Sequence, residues 1–394
     1  MYSVASYGEM TADRVRMDAY CSALQQTIKP ESVVLDIGCG TGIMSLLACK
    51  LGARCVYAVE PDDAIQVARE AAAANGFAER IVFFQDLAKN VELPERADII
   101  ISDLRGVLPL NEHHIPSIVD ARQRLLSSVG VLIPLRDTLR LAVVEAPDLY
   151  MKAVAPWDAD AHGFDQSAAR RIVINTWRKA RITPDQLLTE PQSWATLDYL
   201  TISNADVNAE VNCTVVRAGS AHGLNVWFDT VLAEGVGFSN GPDATDLIYG
   251  GGFFPWLQPV ELAVNDVVTI KINADLVHED YIWRWDTRVL SLGNSTQVKA
   301  DFKQSTFFGV PLSLAQLHKR AANYVPTLND EGQIDQMILS RIDGMTSLEE
   351  IADQLTKQFP THFADWNDAL TRVGDLSRKY SQARHERDAA NPQS

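Results

Sequence analysis

No uninterrupted apolar stretch in this 394-residue chain approaches the roughly 20 residues that span a bilayer, so no membrane-crossing helix is expected. The opening residues lack the charged-then-apolar pattern of an export signal, and the expected location is therefore the cytoplasm. Cysteine is sparse: Cys21, Cys39, Cys49, Cys55 and Cys213 show no metal-ligand spacing, so neither a zinc site nor a disulfide framework is implied. Basic residues are outnumbered, 35 Lys and Arg against 51 Asp and Glu, giving a net charge of −16. That balance disfavours nucleic-acid phosphates and favours cations, cationic substrates among them. Internal repeats are absent as well. What is present is a globular composition, 46% hydrophobic, long enough for two or three domains.

Three textures follow one another. From about residue 13 to 141, helix-like stretches (17–27, 43–51, 64–75) alternate with strand-like ones (33–37, 55–59, 81–85, 97–102). This rhythm predicts an α/β doubly wound, mostly parallel sheet over residues 1–137. Short strand patterns at 139–145, 171–176, 209–217, 224–230, 261–264 and 267–272 then predict an antiparallel β-barrel over 138–305. Residues 306–382 read as a small helical domain, with runs at 312–324, 333–342, 348–359 and 364–380. Ser347 stands three residues before Glu350, a capping-box spacing. A polar tail, 383–394, reads as disordered.

The first strand runs into Asp36-Ile-Gly38-Cys-Gly40-Thr-Gly42 and a helix follows, the context a nucleotide-binding glycine turn requires. The GxGxG spacing is one residue shorter than the GxGxxG that cradles a pyrophosphate. S-adenosylmethionine has no pyrophosphate and suits the tighter turn. Glu60 ends the next strand, where an acid accepts hydrogen bonds from ribose hydroxyls. The fourth strand leads into a loop bounded by Asp103 and Glu112, at the strand ends where substrates of such sheets bind.

Here the chain resembles the protein arginine methyltransferases, whose double-acid loop has an acid after a serine and a second nine positions later, as Asp103 and Glu112 are spaced. The segments 7–16, 130–134, 163–165 and 254–258 follow in the family's order, and the resemblance extends to about residue 300. It implies a class I methyltransferase sheet with a barrel, and methyl transfer from S-adenosyl-L-methionine to a guanidinium. Asp103 and Glu112 would hold the acceptor, while Arg16, Met10, Asp36, Gly38, Gly40, Gly42 and Glu60 would hold the cofactor. Tyr7 and Trp256 would line the substrate site. The family dimerises through a helical arm, for which 158–169 and 184–194 are candidates, so a homodimer is expected.

The chain departs from the pattern at several positions. Asp103 is one methylene shorter than the family's glutamate, Pro255 replaces a histidine that pairs with the acid matching Asp13, and His114 stands where some members carry methionine. The expected acceptor is a cationic guanidino small molecule, free arginine or an arginine-containing peptide, with no nucleic acid or membrane partner. Two alternatives stay open: another amine, hydroxyl or carboxylate acceptor, or a non-catalytic scaffold that binds cofactor or peptide. Residues 327–355 weakly resemble the PqqD-type winged-helix domains that hold leader peptides, and a plain helical packing module fits the same periodicity.

Overall fold

The computed structural model describes residues 3–158, 163–245, 247–292 and 296–381. The tail expected at 383–394 lies outside them. The chain divides into two compact units, Met1–Pro311 and Leu312–Ser394.

The first unit opens with α1 (Val4–Ala12) and α2 (Arg14–Thr27), followed by β1 (Val33–Ile37), α3 (Ile43–Lys50), β2 (Cys55–Val59), α4 (Ala64–Ala74), β3 (Ile81–Phe84), β4 (Ala97–Ser102), α5 (His114–Arg124) and β5 (Leu126–Ile133). The five strands are parallel in the order β3-β2-β1-β4-β5. β1 is buried along its whole length, as a central strand covered on both faces must be. The winding reverses between β1 and β4, which opens the ligand crevice at their carboxyl ends. Because Ile37 pairs with Ser102, the residues that follow, Gly38 and Asp103, leave the sheet at the same edge. Register alone therefore brings the glycine turn and the acid loop together.

The chain continues through β6 (Arg136–Val144), α6 (Pro147–Asp158), α7 (Ser167–Val173), β7 (Arg178–Ala180), β8 (Gln192–Asp198), β9 (Val207–Thr214), β10 (Gly219–Ala233), β11 (Val236–Ser239), β12 (Gly251–Leu262), β13 (Val267–Val277), β14 (Asp280–Leu292) and β15 (Thr296–Phe302). These form two antiparallel sheets, β7-β12-β10-β6-β8 with β11 added to β10, and β15-β14-β13-β9. Both sheets supply one core, in which Phe254, Trp283 and Trp285 meet edge to face. The far end of β10 carries Leu232 and Ala233 into the core beneath α2, so this domain and the parallel sheet are built as one body.

Two expected pieces fold differently. Residues 171–176 alternate like a strand, yet α7 forms there: the Asp165 carboxylate accepts the Ser167 N–H at 2.9 Å, and Ile174 packs into a cluster with Tyr150 and Phe253. The helical insertion is thus α6 with α7. Residues 184–194 instead make one helical turn that runs into β8, and residues 159–162 of the other arm candidate are outside the described set.

The second unit holds α8 (Leu314–Lys319), α9 (Asp330–Arg341), α10 (Leu348–Gln358) and α11 (Trp366–Tyr380), with no strand among its described residues. Ile334, Ile338, Ile351, Leu355, Ala369 and Val373 make its core. The capping box is formed: Ser347 Oγ accepts the Glu350 N–H and Glu350 accepts the Ser347 N–H. α8 stops short of the expected 312–324 because it buries no side chain, and short helices persist only by packing. No described helix of either unit is long and apolar enough to cross a membrane.

Trp256, expected to face a substrate, is fully buried against Phe302 with ring centroids 6.0 Å apart. Its place is the barrel core. Trp256→Ala is expected to lower stability by about 3 to 5 kcal/mol, and Trp256→Phe to lower the melting temperature while leaving the acceptor KM unchanged. Thermal unfolding beside steady-state kinetics checks both.

Candidate active site

The glycine turn has left-handed backbone at Gly38, Gly40 and Gly42, with φ of 74°, 54° and 85°. Close packing adds to that requirement. A Cβ on Gly38 would lie 2.5 Å from Leu104 Cδ2, one on Gly42 2.8 Å from the Ala68 Cβ, and one on Gly40 would strike the ring of Tyr7. Tyr7, expected at the acceptor, therefore lies over the glycine turn instead, carried there by α1.

Asp36, one residue before the end of the buried strand, accepts the Ser45 hydroxyl at 2.6 Å; burial pushes its carboxyl up to about 6. Glu60, at the end of β2, accepts the Gly40 N–H and the Asp62 N–H, each at 3.0 Å and each on a different oxygen. Burial pushes this carboxyl up too, and a lone pair on each oxygen remains for a pair of hydroxyls. A turn without side chains beside a buried, oriented acid fits the nucleoside end of S-adenosylmethionine.

The acid loop is anchored by its middle. Leu108 and Leu110 are buried in the shared core, and Asn240 donates to the Val107 carbonyl. Its two acids consequently meet different surroundings. Asp103 is nearly enclosed and has taken partners from the chain: Arg16 donates Nε at 2.8 Å and Nη2 at 2.6 Å to Oδ2, Tyr249 donates its hydroxyl to the same oxygen at 2.6 Å, and Arg105 Nε reaches Oδ1 at 3.0 Å. Burial by itself would raise the Asp103 pKa; the Arg16 and Arg105 guanidiniums override it and hold the group well below the usual carboxylate range. Glu112 stands exposed at the loop's other end. Its φ of 40° is left-handed for a non-glycine residue, a conformation that costs about 1 to 3 kcal/mol and clusters at functional positions.

Arg16, expected to hold the cofactor carboxylate, is also tied into the protein. Its fork faces Asp103, and Nη1 donates to the Met10 carbonyl at 3.2 Å. These bonds leave one Nη2 hydrogen for a cofactor carboxylate. Beyond Asp103 the ionic chain continues inward. Arg105 Nη1 donates to Asp137 Oδ1 at 2.9 Å and to Thr230 Oγ1 at 2.7 Å, and its Nη2 donates to the Tyr20 hydroxyl at 2.7 Å. Asp137 accepts the Tyr199 hydroxyl at 2.6 Å, and Tyr199 meets His114 Nε2 at 3.1 Å. Since the Tyr199 proton goes to the carboxylate, His114 donates to Tyr199 from Nε2. Burial, and after it Arg105, depresses the imidazole to about 3 and keeps it neutral.

The contact expected to be missing beside Pro255 has a substitute. Asp13 accepts the Ile248 N–H at 2.8 Å while capping α2 through the Arg16 N–H at 3.1 Å. A backbone amide from the β11–β12 loop takes the place of a histidine side chain. Arg105 and Tyr249 were not legible as site residues. Arg105 had one signal, a lone cation in an otherwise apolar loop; Tyr249 had none, because it arrives from the barrel.

This fold and cradle are those of the S-adenosylmethionine-dependent methyltransferases. Residues 19–128 match the family described as ribosomal protein L11 methyltransferase, and residues 136–285 match the arginine methyltransferase oligomerization subdomain. Protein arginine N-methyltransferase 2 of Homo sapiens is 31% identical over 70% of this chain and 67% of its own length. Protein arginine N-methyltransferase 1 of Schizosaccharomyces pombe is 31% identical over 59% of this chain and 71% of its own. The probable protein arginine N-methyltransferase 6 of Arabidopsis thaliana is 32% identical, and the chain spans 54% of its length. In fold, the chain resembles the Trypanosoma brucei PRMT1 enzyme-prozyme complex solved with AdoHcy, with a TM-score of 0.70, 23% identity and coverage of 76% of this chain and 97% of that one. The chain belongs to the protein arginine N-methyltransferase family.

Gly40→Ala places a methyl group against the Tyr7 ring and strains the turn. It is expected to raise the Kd for S-adenosylhomocysteine by at least about tenfold with the fold retained. Titration calorimetry with circular dichroism decides; unchanged affinity would remove Tyr7 and the turn from the cofactor site.

Proposed function

We propose that the chain transfers a methyl group from S-adenosylmethionine to a guanidinium nitrogen, with arginine in a peptide as the first acceptor to test. The observation that carries this reading is the Arg16–Asp103 ion pair at 2.6 Å, which joins the cofactor cradle to the acid loop in a chain of this family. When bound, the cofactor supplies an electrophilic methyl group on a sulfonium. The chain's own residues do the rest. Glu60 and Asp36 hold the nucleoside and amino-acid ends, and Arg16, fixed by Asp103, offers its remaining N–H to the carboxylate. Glu112 accepts N–H bonds from the acceptor guanidinium and draws its charge away from the nitrogen that reacts. Holding that nitrogen in line contributes much of the rate. The displaced proton leaves to solvent past Glu112, which stands at the exposed end of the loop.

Labelled cofactor offered with an arginine peptide, with free arginine and with a lysine peptide sorts the acceptors. Label is expected on the arginine peptide, and Glu112→Gln is expected to cut turnover by about 100-fold or more with little change in melting temperature. Label on the lysine peptide alone would replace the guanidinium reading with an amine one.

We further propose that the chain self-associates as a homodimer through α6 and α7. Met151 on α6 and Phe164, three residues before α7, are exposed, 50% and 68%, within the region matching the oligomerization subdomain. Light scattering is expected to give twice the chain mass, and Met151→Glu with Phe164→Glu to halve it; a wild-type monomer at working concentration removes the proposal.

A further inference from the structure

Arg105 sits in surroundings that a pocket for a foreign guanidinium would provide. Its side chain is wholly enclosed, two carboxylates grip it, Asp103 at Nε and Asp137 at Nη1, and three aromatic rings face it: Phe228 at 5.2 Å, Phe238 at 5.5 Å and Tyr249 at 5.7 Å from the guanidinium carbon. One of those carboxylates is Asp103, the acid that the family pattern assigns to the acceptor. Asp103 Oδ2 already takes Arg16 and Tyr249, and Oδ1 takes Arg105. Across the cluster, the cations Arg16 and Arg105 match the anions Asp103 and Asp137 one for one. An arriving cation finds no uncompensated charge at Asp103; it finds one at Glu112.

We propose that Arg105 determines acceptor specificity: it occupies, from within the chain, the carboxylate face an acceptor guanidinium would take, so the acceptor is held through Glu112 alone. This rests on the guanidinium reading above. A single carboxylate grips any cation that reaches it, whereas two carboxylates set at an angle reward the planar fork of arginine over the point charge of lysine. The centre is therefore less selective for arginine than a two-acid clamp.

The test has one arm without mutation and one with it. In the wild-type chain saturated with S-adenosylhomocysteine, calorimetry compares a short peptide bearing one arginine with the same peptide bearing lysine. The expected ratio of Kd values is below about tenfold; a ratio of tenfold or more reveals a second carboxylate in the grip and overturns the proposal. The mutational arm removes a buried cation and a buried anion together, Arg105→Met with Asp137→Asn, so that no charge is stranded. With Oδ1 released, the arginine peptide is expected to bind at least about tenfold more tightly than to wild type, the scale of one charge-assisted hydrogen bond. A double variant with wild-type melting behaviour and unchanged or weaker peptide affinity also overturns it. Should wild type methylate no guanidinium, the acceptor reading fails, and the gain of peptide binding in the double variant still decides the role of Arg105.

Discussion

The alternation of charge along Arg16, Asp103, Arg105 and Asp137 is the interaction on which the rest of this centre depends. Four ions enclosed together are tolerable only because each carboxylate faces guanidinium N–H groups and each guanidinium faces carboxylates, with Tyr20, Tyr199, Tyr249 and Thr230 occupying further donor and acceptor positions. Break the alternation at any point and a buried charge is left without compensation, which costs about 3 to 5 kcal/mol. The members come from α2, the acid loop, β6 and β10. The ionic chain is thus also a joint that sets the barrel against the parallel sheet.

That joint explains the differing fates of the two acids in the loop. Asp103 leaves the sheet beside Gly38, deep in the crevice, where guanidiniums of the chain are within reach. Glu112 ends the loop beyond the anchoring leucines, in solvent, on a backbone bent into the left-handed region. One acid became part of the framework and the other kept its charge available. The shorter side chain of Asp103 suits this outcome, since Arg16 and Arg105 come to it.

The parallel sheet and the cofactor cradle were largely legible before folding. An apolar run into GxGxG, with an acid at the end of the next strand, is local information, and β1, β2, β4 and α4 fall where their patterns place them. The barrel was only partly legible: β14 lay outside the expected strands although every second residue from Tyr281 to Val289 is buried, and α7 overrode a strand-like pattern because Asp165 starts a helix and Ile174 has a cluster to enter. Trp256 sits in a family-like segment, yet its side chain points into the barrel, a direction that the pairing of β12 with β10 decides.

The sequence by itself determined the glycine turn and the acid beside it, the two-part architecture of the first unit and the nine-residue spacing of Asp103 and Glu112, because glycine geometry, hydrophobic period and loop length are properties of neighbouring residues. Only the tertiary structure decided which partners those acids meet. Arg105 lies two residues from Asp103, but Arg16, Asp137, Thr230 and Tyr249 are separated from it by tens to more than a hundred positions. Electrostatic pairing in a dry interior depends on distance in space, and distance in space is what folding supplies.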